Sequence, residues 1–563
     1  MVKKSSRKRK DLIQLLLWIG ILISVNFLSS GFFFRIDLTS EKRFTLSPQT
    51  KSLLKELDDV VFFRVYLEGK DFPAGFERLK NSTREMLDEF RVYSGNNIEY
   101  EFVDPIDGLE KKEQADVFQQ LYKKGIIPAF VEIKEKGGTS QRTLFPGALA
   151  TYKGREVPVQ VFRDQLGTPS ELVLHNSIQS LEYELSNAIR KLQNRMKPKV
   201  AFLTGHGEWD TLSTHDIREA LREYYDVHDF MLDGRLANLE LIGKYKAVIM
   251  ARPDSMFSPQ EKFILDQYIM NGGKALFFYD PVFARMDSLT KSDFTYGIPR
   301  KNNLEDMFFK YGVRFNFNLV QDIRAGMIPI PVNMKYQYYP WMFFPLAGPG
   351  SEHPICKNLN VVKCEFVSSI DTLESPALKK TILLKSSKYA NILNTPVYIN
   401  IRSVLKEPNE KQFRHSDVPF SVLVEGSFES LFKFQALEAL DTIKGFTRLK
   451  DSKPTSLIFV ADADIIANKI QASNQRPLPL GYDIWTKQSY GNKNFVLNAI
   501  NYLCDDEGLL SVRSRELTLR ILDRKKAEKD RTRIQILNTA APLALVLIAG
   551  LITSLLRKRK YTK

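Results

Sequence analysis

Two uncharged runs near the ends of this chain constrain it most. Leu12 to Phe34 holds 23 residues without a charge, and Ile536 to Leu556 holds another 21. A bilayer's hydrocarbon core takes about 20 apolar residues in a helix, so each run is expected to span a membrane. A cleaved signal peptide has a shorter apolar region, roughly 7 to 15 residues, and a small-residue cleavage site. The first run ends instead in Phe32-Phe33-Phe34. The second is closed by Arg557-Lys-Arg-Lys560, which a buried core helix would not carry. The net charge of +15 belongs mostly to the tails outside these runs. Between residues 11 and 556 the balance is 70 basic to 66 acidic residues. No basic stripe with interleaved aromatics remains, so a nucleic-acid partner is not expected. The positive-inside rule places the basic tail 1–11 in the cytoplasm. The bulk of the chain is then expected to be periplasmic, with tail 557–563 returned to the cytoplasm and both spans, 12–34 and 536–556, in the inner membrane. Arg524, Lys525, Lys526, Lys529, Arg531 and Arg533 oppose this rule at the second span; the first span and the alternation of spans decide the orientation.

At 563 residues the chain exceeds one hydrophobic core. Ser47-Pro48 is a helix start, serine as N-cap and proline at the first helical position. Strand-like runs at 60–67, 98–103 and 129–133 alternate with helical spacing at 76–90 and 109–124. A hairpin partner is expected after the Lys136-Gly-Gly138 turn. The order βαβαββ resembles the thioredoxin-like fold, and Gly125-Ile-Ile-Pro128-Ala-Phe-Val resembles its usually cis proline before the third strand. The loop Glu68 to Gly75 (EGKDFPAG) lacks the cysteines of a C-x-x-C, so thiol exchange is not expected. This first domain is assigned to 35–170 and a connecting helix to 171–196, on the stripe Ile178, Leu181, Leu185, Ile189 and Leu192. From 197 to 510 short apolar runs alternate with helices at the spacing of an open α/β sheet: strands at 200–204, 226–231, 247–251 and 275–279, helices at 215–224 and 259–270. Phe420–Val424 and Leu457–Val460 are expected to rejoin that sheet after an irregular insertion at 329–414. A charged juxtamembrane helix is expected at 511–535. Cys356, Cys364 and Cys504 give neither a zinc motif nor a disulfide framework; the first two could pair or sit as buried thiols.

Ligands of open α/β sheets bind at the carboxyl ends of the strands. Three turns there carry candidate residues: Thr204-Gly205-His206-Gly207-Glu208, Asp280, and Asp462 with Asp464. His206 and Glu208 could serve as metal ligand and general base, with Asp462 and Asp464 meeting them. Against this, a metal site needs three or four convergent ligands, and His206, His215 and His228 lack i, i+4 spacing. The strand ending at Ala251 continues Arg252-Pro-Asp-Ser rather than into a nucleophile turn, and no P-loop appears. The eight residues therefore stand as a ligand or partner loop or as structural turns. No catalytic residue, metal or cofactor is assigned.

Several segments together resemble the GldG family of gliding-associated ABC transporter components: DLTSEKRFTLSPQTKSLLKEL, YLEGKDFPAGFERLKNSTREMLDEF, SIQSLEYELSNAIRKL, FLTGHGE, FVADADIIAN and GNKNFVLNAINYLCDDEGLLSVRSRE. The likeness runs from about residue 35 to 520. It implies a glutamine-amidotransferase-like α/β domain without the nucleophile. It also implies an accessory membrane subunit working with a separate permease and ATPase in motility and protein secretion, and it leaves room for a homo-oligomer. A membrane-anchored periplasmic hydrolase of glycan or peptide using His206 and Glu208 is the alternative.

Overall fold

The computed structural model describes residues 12–24, 45–69, 72–135, 138–165, 168–193, 197–332, 335–434, 448–471, 473–505, 508, 510, 512 and 530–561. The chain forms two compact units, Met1–Arg515 and Glu516–Lys563. In the second, helix Arg531–Tyr561 is the one helix among the described residues long and apolar enough to cross a membrane. At the other end, helix α1 is described only over Leu12–Ser24. At about 1.5 Å per residue it falls short of a hydrocarbon core of about 30 Å. Residues 25–34 of the expected first span, and 513–529 of the expected charged helix, lie outside the described residues. The C-terminal helix is thus the candidate for membrane association among the described residues.

Ser47 opens α2 (Pro48–Lys55), its hydroxyl accepting the Thr50 amide at 3.2 Å. Then β1 (Val61–Val65), α3 (Ala74–Tyr93), β2 (Ile98–Phe102) and α4 (Lys111–Lys123) follow where the spacing predicts them. The next pair departs from expectation. β3 (Ala129–Glu135) and β4 (Gly138–Leu144) form the expected antiparallel pair but pair only with each other. The four-stranded sheet is completed instead by β5 (Gly147–Tyr152) and β6 (Arg155–Gln160), in the order β2-β1-β5-β6. β1 and β2 are parallel, and β5 is antiparallel to both its neighbours. β5 reads Gly-Ala-Leu-Ala-Thr-Tyr and is buried almost throughout. A strand covered on both faces shows no polar alternation, and its small residues carry little strand propensity. Pro128 accordingly precedes the separate hairpin rather than a strand of the sheet. Its peptide bond is trans, the one cis bond among the described residues being Thr395–Pro396.

Helix α5 (Ser170–Gln193) does more than connect. Leu174, Leu181, Leu185, Ile189 and Leu192 close the core beneath the first sheet, while Tyr183 on another face enters the core of the second domain. The Asn187 amide donates to the Tyr224 hydroxyl at 3.2 Å, and Arg190 pairs with Asp505 at 3.4 Å.

The second domain follows with β7 (Lys199–Thr204), α6 (His215–Arg222), β8 (Asp226–Met231), α7 (Asn238–Ile242), β9 (Ala247–Ala251), α8 (Pro259–Met270) and β10 (Lys274–Phe278). These strands belong to a ten-stranded sheet ordered Ala325–Val332, Lys335–Pro349, Leu378–Lys385, Pro419–Gly426, Thr455–Val460, β10, β9, β7, β8, with the short strand Val362–Lys363 paired beside this path. The last five of that order are mutually parallel. Pro419–Gly426 lies antiparallel to Thr455–Val460, and the remaining strands continue antiparallel. The stretch 329–414, expected to be irregular, thus supplies sheet strands. It also helps build its own apolar cluster around the buried Trp341, Phe343 and Phe344. Its aromatic and proline-rich composition hides the strand period. Val248, Ile249 and Met250 of β9 and Leu276, Phe277 and Phe278 of β10 are fully buried; each such side chain contributes about 1.5–3 kcal/mol on burial. Cys356, Cys364 and Cys504 are buried and form no disulfide.

Candidate functional site

The order β8-β7-β9-β10 followed by Thr455–Val460 reverses direction in chain order between β7 and β9. In open α/β sheets the ligand crevice lies outside the carboxyl ends of the strands at such a reversal. A cavity of about 380 Å³ opens at this edge. β7 contributes Trp209 to its lining, β9 Arg252, β10 Asp280, and the turn after Thr455–Val460 Asp464. Arg285, Arg300, Glu365 and Lys469 reach it from other segments.

The Thr204–Glu208 turn does not face this cavity. Thr204 accepts the Leu232 amide at 2.9 Å. Gly205 has φ +122°, and a Cβ there would meet the Leu232 carbonyl oxygen at 3.0 Å; Gly207 has φ +73°, and a Cβ would meet Asp254 Cβ at 2.9 Å. Both glycines serve close packing of the turn against its neighbours. His206 is 4% exposed and stacks on Phe257, ring centroids 3.7 Å apart. Its Nε2 lies 3.2 Å from Glu261 Oε2, and its Nδ1 lies 3.6 Å from Glu208 Oε1, longer than a hydrogen bond. Glu208 Oε2 accepts the His206 backbone amide at 2.7 Å, and the His206 carbonyl accepts the amides of Asp254 and Ser255. Burial opposes the charged imidazole, yet Glu208 and Glu261 together raise its pKa above 6.5. Glu261 also closes the capping box of α8 with Ser258. His206 therefore ties the β7 turn to the start of α8. With His206 and Glu208 both drawn into this tie, the expected meeting with Asp462 and Asp464 does not form.

The three aspartates do converge. Asp280 Oδ1 accepts the Ala463 amide at 2.7 Å. Asp462, fully buried, accepts the amides of Asp464 at 2.8 Å and Glu365 at 2.7 Å and caps the short helix Ala463–Ile466. Asp462 supports the site from behind, whereas Asp280 and Asp464 line the cavity. Burial raises all three carboxyl pKa values. Asp464 is pushed up to about 7, with Glu365 and Asp280 adding to the effect, and the Asp464 and Asp280 charges push Asp462 further up.

Arg252, the residue that stands in place of a nucleophile after β9, lines the same cavity. Its backbone has φ +60°, a region where a bulky residue is strained and persists only when its surroundings hold it. The side chain is 8% exposed, and its guanidinium stacks 3.7 Å over the Trp209 ring. Its Nε has no hydrogen-bond partner, and no carboxylate among the described residues pairs with it. Burial and the charge of Arg285 lower its pKa. The neighbouring cations are paired: Arg300 with Asp254 at 3.0 Å and Lys469 with Glu365 at 2.8 Å. Arg252, Arg300, Glu365 and Lys469 had no motif to betray them. The Arg252-Pro253 step gave a contrary signal, since a residue before proline ordinarily stays extended. Among the described residues no group of three or more His, Cys, Asp or Glu is arranged to hold a metal ion; the cavity lining holds no cysteine, and its one serine, Ser213, is tied to Asp210, which accepts its backbone amide at 2.7 Å.

The first domain, residues 40–151, matches a family described as a domain of unknown function. An uncharacterized protein of Borreliella burgdorferi is 23% identical over 436 residues, covering 76% of this chain and 80% of that protein. Two solved structures are similar at 13% identity. The mmIFT52 N-terminal domain has a TM-score of 0.31 over 54% of this chain and 97% of its own. A ThuA-like protein from Bacteroides uniformis has a TM-score of 0.27 over 55% and 93%. Residues 197–499, the domain that carries the cleft, match the family described as an ABC-type uncharacterized transport system. That match takes in more than half of the chain, which therefore belongs to this ABC-type transport family as an auxiliary component.

Proposed function

We propose that this auxiliary component is a non-enzymatic membrane subunit serving gliding motility and the associated protein secretion. Its outer domains hold a solute or partner, and its membrane helices dock on a separate permease that works with a separate ATPase. The observation that carries the reading is Arg252. Where an enzyme of this sheet type would set a nucleophile on a strained strand-end residue, this chain sets a buried cation over an indole. Such a group binds and does not attack. The GldG resemblance supplies the gliding role, and the basic tails supply the orientation, with both termini in the cytoplasm and the outer domains in the periplasm. The order β2-β1-β5-β6 supports a thioredoxin-like first domain with hairpin β3–β4 inserted, spanning 35–170, and the order of the second sheet supports a glutamine-amidotransferase-like domain from 197 to 510. The hydrolase alternative loses its main support, because His206 is stacked beneath Phe257 and turned into the β7–α8 tie.

A photo-crosslinking residue placed at Leu545 or Ile548 of the C-terminal helix tests the docking. Capture of one polytopic membrane protein in living cells is expected. Labelling of lipid alone, from every position around the helix, would rule this reading out.

A further inference from the structure

The cleft sets a guanidinium and two carboxyl groups around one cavity without joining them at ion-pair distance. Arg252 is nine-tenths buried and lines the cavity; its Nε has no hydrogen-bond partner, and no carboxylate among the described residues lies at ion-pair distance from its guanidinium. Across from it, the Asp464 carboxylate accepts no hydrogen bond among the described residues, and Asp280 uses one oxygen on the Ala463 amide. Truly matched groups would sit at ion-pair distance, as Lys469–Glu365 and Arg300–Asp254 do; Arg252 does so with neither aspartate. Burying unpaired charge is costly unless something completes the pairing, and the strained backbone at Arg252 shows that its surroundings hold it in this position.

We propose that the cleft binds a zwitterion of amino-acid or short-peptide size, its carboxylate on Arg252 and its ammonium between Asp280 and Asp464. A purely anionic ligand would answer Arg252 but would meet the two aspartates as like charges. A neutral polyol could hydrogen-bond to both groups but would neutralise neither. A carboxylate suits the planar fork of a guanidinium, which binds it through paired hydrogen bonds, and the Trp209 ring beneath fixes the plane of that fork. The volume of about 380 Å³ is ample for a dipeptide. The raised carboxyl pKa values fit the same arrangement, since an incoming ammonium would favour the ionised form. This inference rests on the reading of the protein as a binding subunit.

The test uses the full chain purified in detergent, titrated calorimetrically with alanyl-alanine, its N-acetyl form, its C-amide form, inorganic phosphate and a disaccharide. Free alanyl-alanine is expected to bind, with either blocked form weakened at least about tenfold and phosphate and the disaccharide silent. Arg252→Gly removes the cation while relaxing the backbone, because glycine takes φ +60° without strain. This variant is expected to melt normally and to lose binding; Asp464→Asn is expected to stay folded and to lose binding as well. No heat with alanyl-alanine, equal binding of the blocked forms, or unchanged binding by both variants would overturn the proposal. If alanyl-alanine fails while the chain still co-purifies with a permease and an ATPase, the zwitterion is wrong and the accessory role stands. If that complex is also absent, the accessory role itself has failed.

Discussion

His206, the most conspicuous polar residue of the sequence, is held by stacking on Phe257 and by Glu261, away from the cavity. His206→Ala removes the ring and leaves two buried carboxylates without it, so it should cost about 2 kcal/mol of stability while leaving assembly with membrane partners intact. Calorimetric melting of the variant beside the wild type checks the first part, and co-purification checks the second. The raised pKa of His206 means that the folded state holds its proton more tightly than the unfolded chain does. Its contribution is full below pH 6.5 and is lost as pH rises through the raised folded value. Asp464 has the same sign. Its pKa, raised from 3.8 to about 7, makes stability fall across that interval as pH rises. Asp464→Asn should therefore flatten the pH–melting profile between those limits and stabilise the protein at pH 8 by on the order of 1 kcal/mol. An unchanged profile would show that Asp464 ionises freely in the fold. Asp280, Asp462 and Asp464 were legible in the sequence because each closely follows an apolar run that ends at the sheet edge. Arg252 was not, because its role comes from a backbone angle and from a ring that lies far away in the chain.

At the scale of elements, α8 shows how a short motif and a buried polar group divide the labour. Ser258 and Glu261 form a capping box at its start, with Pro259 at the first helical position. The buried Asp266 on the same helix carries no such signal. It accepts the Tyr311 hydroxyl at 2.8 Å, the Ser430 hydroxyl at 2.7 Å and the Leu431 amide at 2.9 Å, joining α8 to two distant segments. Asp266→Ala would strand all three donors, and a loss of about 2–4 kcal/mol is expected. A urea titration should show a lower midpoint with an unchanged slope. A midpoint within error of wild type would mean that those donors find other acceptors. The helices and parallel strands of the second domain were readable because buried parallel strands are short apolar runs between capped helices. β5 escaped notice because its small buried residues follow no period, and β3 and β4 drew attention because their turn signal was strong. Pairing partners depend on contacts that the local pattern does not encode, so the hairpin was read correctly and its place outside the sheet was not.

For the whole molecule, the chain carries a C-terminal helix long and apolar enough to cross a membrane and, in its other unit, a cleft lined by charged groups of both signs. That combination suits a subunit that presents or captures something for a transporter whose energy is supplied elsewhere. The helix made itself plain in the sequence, since length and apolarity decide a span; the sign of the cleft did not, since it depends on four strand ends arriving together. The central claim is that the chain acts as part of a larger ABC system, and affinity purification of the full-length protein from membranes with quantitative mass spectrometry tests it most directly. One permease and one ATPase are expected to co-elute in fixed ratio to the chain and to remain with His206→Ala. Elution of the chain without either of them would contradict that claim.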